Sequence, residues 1–371
     1  MKSLQMQSCV HDNATIECAL FEVDIPAPAD MEVMVKIEAT PINPSDLGLM
    51  FGAADMSSIR ASERNGHPSI VLDVPEPAMR MMSTRIGEWL PVGNEAAGTV
   101  VEAGSSDAAQ ALLGKRVALF GGEMYADYRT VSAFQCIPLS ESSTPEQGAS
   151  SFVNPMTALG FVETMKMEGH KAIIHTAAAS NLGQMLNRIC LADGVPLVNI
   201  VRSPEQAALL REQGAEHVVD SSAPNFAEAL TDAVKATGAT LAFDAIGGGK
   251  LGNAILMAME AAAVERMPVW SRYGSDEFKQ LYIYGALDLA PTTLNRGYGF
   301  AWAIGGWLLT PFMAKAGREI VESMQRRVVS ELTTTFASHY SDRLTLAESV
   351  TPEAGLRYGV RKTGQKALIV F

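Results

Sequence analysis

A chain of 371 residues is longer than one ordinary hydrophobic core fills, so two domains are expected. With 47% hydrophobic and 19% charged residues it reads as a packed globular protein, neither disordered nor fibrous. A formal net charge of −12 speaks against nucleic acid or an anionic membrane surface as the main partner, while an anionic cofactor needs only a local basic spot.

The N-terminal "MKSLQMQSCVHDN" has no apolar segment of a secretory signal. Cys9, Cys18, Cys136 and Cys190 are scattered without a C-x-x-C pair, which suggests free thiols in a reducing cytosol rather than a zinc knuckle or a disulfide framework. Residues 1–150 read as mostly β. "EVMVKIEAT" (32–40), "GTVVEAG" (98–104) and "KRVALFGG" (115–122) alternate apolar and polar residues as barrel strands do. Between Ala53 and Pro91 that pattern breaks, and a long irregular excursion of the lid or binding-loop kind is expected.

From about Ser151 the rhythm changes, and 151–325 reads as a second domain. "KAIIHT" (171–176) is a short apolar strand, followed by a helix whose face carries Leu182, Met185, Leu186, Ile189 and Cys190 and which Gly194 closes. "PLVNIV" (196–201) is the second strand. "SPEQ" starts the next helix with Ser203 as cap, Pro204 in the first turn and Gln206 at the capping-box position. "EHVVD" (216–220), "ATLAFDAIGGG" (239–249) and "QLYIYGALD" (280–288) supply further strands with helices near 225–237 and 250–263 between them. Such alternation specifies a Rossmann-type, doubly wound parallel sheet whose ligand lies beyond the C-terminal strand ends. The uncharged run Gly297–Ala314 is almost long enough to span a bilayer, but its glycines and Pro311 argue against a membrane helix. Residues 326–371 return to mixed helix and strand, closing with "KALIVF".

The loop "HTAAASNLGQ" occupies the first strand end with one glycine, Gly183. Ala177, Ala178 and Ala179 are small enough to leave the backbone accessible. Ser180 and Asn181 offer side-chain donors to phosphate, and Asn tolerates left-handed angles. Leu182 and Gly183 open the helix, whose N-terminus attracts anions, and Gly183 permits close helix–sheet packing. An ordinary strand–turn–helix is the alternative. The second strand ends in Arg202, where a dehydrogenase using NAD needs an acid and one using NADP a base. NADPH is therefore expected, unless Arg202 merely lies on a solvated helix start.

"INPSDL" (42–47), "VGNEAAGTVVEAG" (92–104), "MYADYRTV" (124–131), "NPMTALGFVE" (154–163) and "FDAIGGG" (243–249) together resemble, in order, the zinc-independent quinone oxidoreductase branch of the medium-chain dehydrogenase/reductase superfamily. The resemblance implies an α/β chain: a GroES-like β-barrel catalytic domain (1–150, completed by 326–371), a Rossmann NADP-binding domain, and a homodimer in the cytoplasm. It also implies a small-molecule quinone or enone substrate, with no nucleic-acid or membrane partner. Zinc-using relatives have Cys where this chain has Asn43 or Pro44, and His–Glu where it has Asn94–Glu95, so no metal is expected. The similar 2-enoyl thioester reductases carry a tyrosine, their presumed proton donor, where an ungapped alignment puts Ala54.

By the same resemblance Asn43 and Thr157 approach the nicotinamide and its ribose, while Tyr284, Gly285 and Ala286 lie under the cofactor. Tyr273, with Arg272, is an expected adenosine or phosphate contact, and Arg361 a C-terminal one. Simpler readings stand beside these: Asn43 as a turn cap, Thr157 as a helix-start hydroxyl, Arg272 and Tyr273 in a plain loop. His175 is expected to be packed rather than acidic, and Phe300, Trp302, Trp307 and Phe312 to form a dimer or core face. The expected activity is hydride transfer from NADPH to a quinone or conjugated carbonyl. A 2-enoyl thioester reductase, or an NADPH-binding protein with little turnover, is the alternative.

Overall fold

The computed structural model describes residues 1–360 and 363–371. They form two compact units, Met1–Val153 with Val328–Phe371, and Asn154–Arg327. The sequence places the breaks after residues 150 and 325, the structure after Val153 and Arg327.

The first unit is built on two sheets. One runs, in spatial order, through Asp55–Arg64, His67–Asp73, Thr15–Asp24, Lys2–His11 and Leu90–Pro91. The other runs through Cys136–Pro138, Arg116–Phe120, Glu95–Ala103, Glu32–Pro41, Ala367–Val370 and Asp342–Leu344, with Tyr128–Ser132 also on Glu32–Pro41. The closing strand "ALIV" pairs antiparallel with Glu32–Pro41, so the chain end completes the unit that its start began.

The excursion between Ala53 and Pro91 departs from expectation. Much of it is an antiparallel hairpin, Asp55–Arg64 on His67–Asp73, which continues the sheet through Thr15–Asp24. Asn65 (φ 54°) and Gly66 (φ 79°) both take left-handed angles, as a two-residue type I′ turn demands. "NG" between alternating strands was the local signal. Ile70 and Leu72 bury their side chains completely, which ties the hairpin to the core beside Ile16 and Leu20.

The second unit holds a six-stranded sheet of Ile173–His175, Leu197–Val201, His217–Asp220, Leu241–Asp244, Lys279–Ile283 and Trp302–Gly306. Their spatial order is third, second, first, fourth, fifth, sixth, and every neighbouring pair is parallel. This is the doubly wound order that reverses direction between the first and fourth strands. Helices Asn181–Asp193 and Phe226–Thr237 stop at Gly194 (φ 65°) and Gly238 (φ 66°), where glycine accepts the left-handed turn that ends a helix.

Two details differ from the sequence reading. The glycines after the fourth strand form a separate short strand, Gly247–Gly249, paired with Asp288–Thr292. The uncharged run contains the sixth strand, Trp302–Gly306, followed by helix Leu309–Ala316. Among the described residues no helix is long and apolar enough to cross a membrane. Within the run Trp307 and Phe312 are core residues packed against Gly160, while Phe300 is 83% exposed. All four cysteines are free and buried.

Candidate functional site

In the second unit the loop Thr176–Ser180 leads from the first strand into helix Asn181–Asp193. Its left-handed residue is Ala177 (φ 51°), an arrangement that costs a residue with a Cβ roughly 1–2 kcal/mol. The tolerance expected of Asn181 is not used, because Asn181 is the first helical residue. Ala178 and Ala179 are buried against Val201, Ala207 and Leu210, and the Ala178 amide donates to the Ile200 carbonyl at 3.1 Å. These alanines thus anchor the loop to the second strand rather than opening its backbone to a ligand, as the sequence reading had them do.

Ser180 caps the helix, its Oγ accepting the Gly183 amide at 3.1 Å, and Leu182 is buried behind it. A Cβ on Gly183 would stand 2.2 Å from the Ala178 carbonyl oxygen, so the helix start and the loop touch backbone to backbone. Only glycine permits this approach.

Two residues that the sequence reading left without a role hold the loop from the other side. The Thr176 hydroxyl donates to Asp244 Oδ1 (2.7 Å) and accepts the Ala245 amide (2.8 Å). Asp244, 1% exposed, also accepts the amides of Ile246 (2.9 Å) and Gly247 (3.2 Å). The acid followed by glycines in "FDAIGGG" was the available signal. Gly285 closes the next strand end, where a Cβ would lie 2.7 Å from the Ala245 oxygen, and Ala286 beyond it is exposed.

Arg202 stands exposed at the end of the second strand. Its amide donates to Gln206 Oε1 at 3.0 Å while Ser203 Oγ accepts the Gln206 amide at 3.3 Å, so Gln206 answers the residue before the cap rather than the cap itself. Among the described residues its guanidinium enters no ion pair. A free cation thus stands one strand away from a loop that offers a helix N-terminus, the arrangement that suits an anion.

Tyr284 faces inward. Its hydroxyl lies 2.8 Å from His175 Nε2, and its ring packs on Phe161 at 4.8 Å. Burial pushes His175 down to about 3 and the Tyr284 hydroxyl up, so neither exchanges a proton near neutrality. His175 is the packed residue that the sequence suggested.

Tyr273 is a correction. It lies in the segment that enters the fifth strand, hence at the N-terminal edge of a parallel sheet whose C-terminal edge carries the loop. Opposite edges cannot serve one small ligand. Thr157, on helix Val153–Met167, is 7% exposed and has no hydroxyl partner among the described residues. Arg361 lies outside the described residues.

In the first unit Asn43 caps helix Pro44–Met50 and is 1% exposed. Its Nδ2 donates to Glu95 Oε1 (2.8 Å), and Glu95 Oε2 accepts the amides of Phe152 and Val153, each at 2.8 Å. Asn43 Oδ1 is buried without a partner. Such an atom costs free energy until a donor reaches it. Burial raises Glu95 and draws nearby Lys366, which donates to Ser150 Oγ at 2.7 Å, down to about 8. Asn94 donates to Ser45 Oγ at 3.0 Å. Among the described residues no three His, Cys, Asp or Glu side chains group so as to hold a metal ion.

Residues 181–264 match the zinc-binding dehydrogenase family. The chain is 28% identical over 207 residues to the mitochondrial enoyl-[acyl-carrier-protein] reductase of Xenopus tropicalis, covering 54% of this chain and 51% of that protein. It is 28% identical over 159 residues to a quinone oxidoreductase of Pseudomonas aeruginosa, covering 42% and 49%. The chain therefore spans about half the length of the curated relatives it matches. Its fold superposes along 100% of its length on a protein named NADPH:quinone reductase from Mesorhizobium loti (98% of that chain, TM-score 0.73, 26% identity). An enoyl thioester reductase of Candida tropicalis shares the fold at TM-score 0.69 and 20% identity, with 100% of both chains covered.

Proposed function

We propose, for a chain that belongs to the medium-chain dehydrogenase/reductase superfamily, an NADPH-dependent reductase of quinones or other conjugated carbonyls that works without a metal. The observation that carries this reading is the helix start at Gly183, packed backbone to backbone on Ala178, with Arg202, which enters no ion pair among the described residues, at the next strand end. The residues present fit the cofactor. The helix start at Leu182–Gly183 suits the pyrophosphate and the Arg202 fork the 2′-phosphate. Gly285 and Ala286, at a strand end of the second unit, offer backbone to the nicotinamide, with Thr157 a further candidate in that unit; in the first unit Asn43 Oδ1 is left without a partner. When bound, NADPH supplies the hydride.

Similarity to enoyl reductases favours a second reading, 2-enoyl thioester reduction, against which counts Ala54, the residue an ungapped alignment sets against their tyrosine. An NADPH-binding protein with little turnover is the third. Titration with NADPH and NADH, followed by NADPH consumption with a quinone panel and with crotonyl thioester, separates them. Arg202→Glu is expected to weaken NADPH about 30-fold, the loss of a charge-assisted bond, and to leave NADH unchanged. Equal NADH and NADPH affinity in the native protein would remove Arg202 from the site.

Two further parts of the reading concern context. Among the described residues the edge strand Trp302–Gly306 pairs on one side only, which supports a homodimer; light scattering on the purified protein decides. Four buried free thiols suit the reducing cytoplasm.

A further inference from the structure

Reducing a conjugated carbon–carbon double bond takes a hydride and a proton, and the residues assembled so far account only for holding the hydride source. Position 54, which an ungapped alignment sets against the presumed donor tyrosine of the similar enoyl reductases, is alanine. Nearby in sequence, on helix Pro44–Met50, Asp46 is 2% exposed. Its Oδ2 accepts the Asn43 amide at 2.8 Å, whereas Oδ1 is buried with no hydrogen-bond partner. Ionised, that carboxylate would keep one buried oxygen without a protein donor, a costly state. Protonated, it presents an O–H.

Asp46 also lines a cavity of about 60 Å³ with Ser45, Leu49, Gly93, Asn94 and Glu123. That space is large enough for water, since a single water needs roughly 10–15 Å³ by the same measure. The titratable groups around Asp46 are Tyr125, whose hydroxyl donates to the Pro41 carbonyl at 3.1 Å, then Glu95, Lys366 and Glu123 on the cavity wall. Burial, with Glu95 adding to it, outweighs the lowering by the Asn43 amide, the Tyr125 hydroxyl and Lys366 and carries Asp46 up to about 7.

We propose that Asp46 donates the proton that completes reduction, through one water of this cavity. The inference rests on the reductase reading. The Asp46 Oδ1–H bond breaks, a C–H bond forms at the α-carbon of the enolate left by hydride addition, and the carboxylate regains its proton from solvent along the same cavity. The two electrons come with the hydride, so Asp46 changes no oxidation state.

Asp46→Asn retains an acceptor for the Asn43 amide but has no transferable proton. In the variant, enone turnover falls about 10²- to 10⁴-fold, the usual worth of a placed general acid, while NADPH affinity holds. Quinone turnover falls less, because solvent protonates a hydroquinone anion. In the native, ligand-free protein, carbon NMR of labelled aspartate finds one carboxyl titrating near neutrality, absent from Asp46→Asn, and the enone kcat/KM declines with pH through that same value. Titration of Asp46 in the ordinary carboxylate range would overturn the proposal even if the variant failed to fold. So would enone turnover in the variant equal to native. A native protein that reduces neither acceptor, yet shows the near-neutral carboxyl, defeats the reductase reading itself and the donor role with it.

Discussion

Asp244 in the second unit and Asp46 in the first are almost equally buried, at 1% and 2% exposure, yet their surroundings differ. Asp244 receives a hydroxyl and two amides, which use both of its oxygens. Asp46 receives one amide, and its second oxygen has nothing. The three donors let Asp244 fasten backbone segments together, whereas burial pushes Asp46 toward its neutral form. The second unit thus makes its loop from backbone and small residues locked by a fully satisfied acid. Around Asn43 the first unit keeps polar atoms unsatisfied, which a protein tolerates where a ligand or a reaction will use them.

The strongest way to break the comparison is Asp244→Ala. It strands the Thr176 hydroxyl and the amides of Ile246 and Gly247, and at about 1–3 kcal/mol for each unmet buried donor a loss of about 3–5 kcal/mol is expected in denaturant unfolding. A loss below about 1 kcal/mol would mean that Asp244 fastens nothing. Next in size is Gly183→Ala, whose methyl must push the helix from the Ala178 carbonyl; about 1–3 kcal/mol of stability is expected to go, with weaker NADPH binding by fluorescence titration. Unchanged affinity would detach the loop from cofactor binding.

The smallest effect is a pH dependence that sharpens the contrast. Folded Asp46 keeps its proton up to about 7, while the unfolded chain loses it in the ordinary carboxylate range. The folded state therefore binds more protons between these values, and this contribution to stability is present at the acid end and lost as pH rises. Melting temperatures of the native protein and Asp46→Asn, compared at pH 5 and pH 8, are expected to show the variant gaining on the native protein at pH 8. A constant difference would make Asp46 an ordinary ionised cap.

Much of the second unit was legible because its signals are local. Ser203 caps the helix for which the sequence nominated it, and Gly194 ends the helix it was expected to close, while Ser180, read as a phosphate donor, proves to be a cap. Arg202 stands at the end of its strand as read. The sixth strand was not legible, because "AWAIGG" carries little β preference and takes its conformation from pairing with Lys279–Ile283. The hairpin at Asn65–Gly66 was legible in principle, and its charged outer face hid it within an excursion read as irregular. Tyr273 went wrong for another reason, since residues named by likeness to a motif carry no information about which edge of the sheet they reach.

The sequence by itself determined the alternation of strand and helix across the second unit and the cation at the second strand's end, because periodicity, caps and turn glycines act between neighbours along the chain. Only the tertiary structure decided that Thr176 and Asp244, 68 residues apart, lock the loop. The same holds for Asn43 and Glu95, 52 apart, whose pairing uses one side of the asparagine amide and leaves the other oxygen unbonded. Whether a buried polar atom is satisfied depends on what the rest of the chain brings within about 3 Å of it, and no local pattern contains that distance.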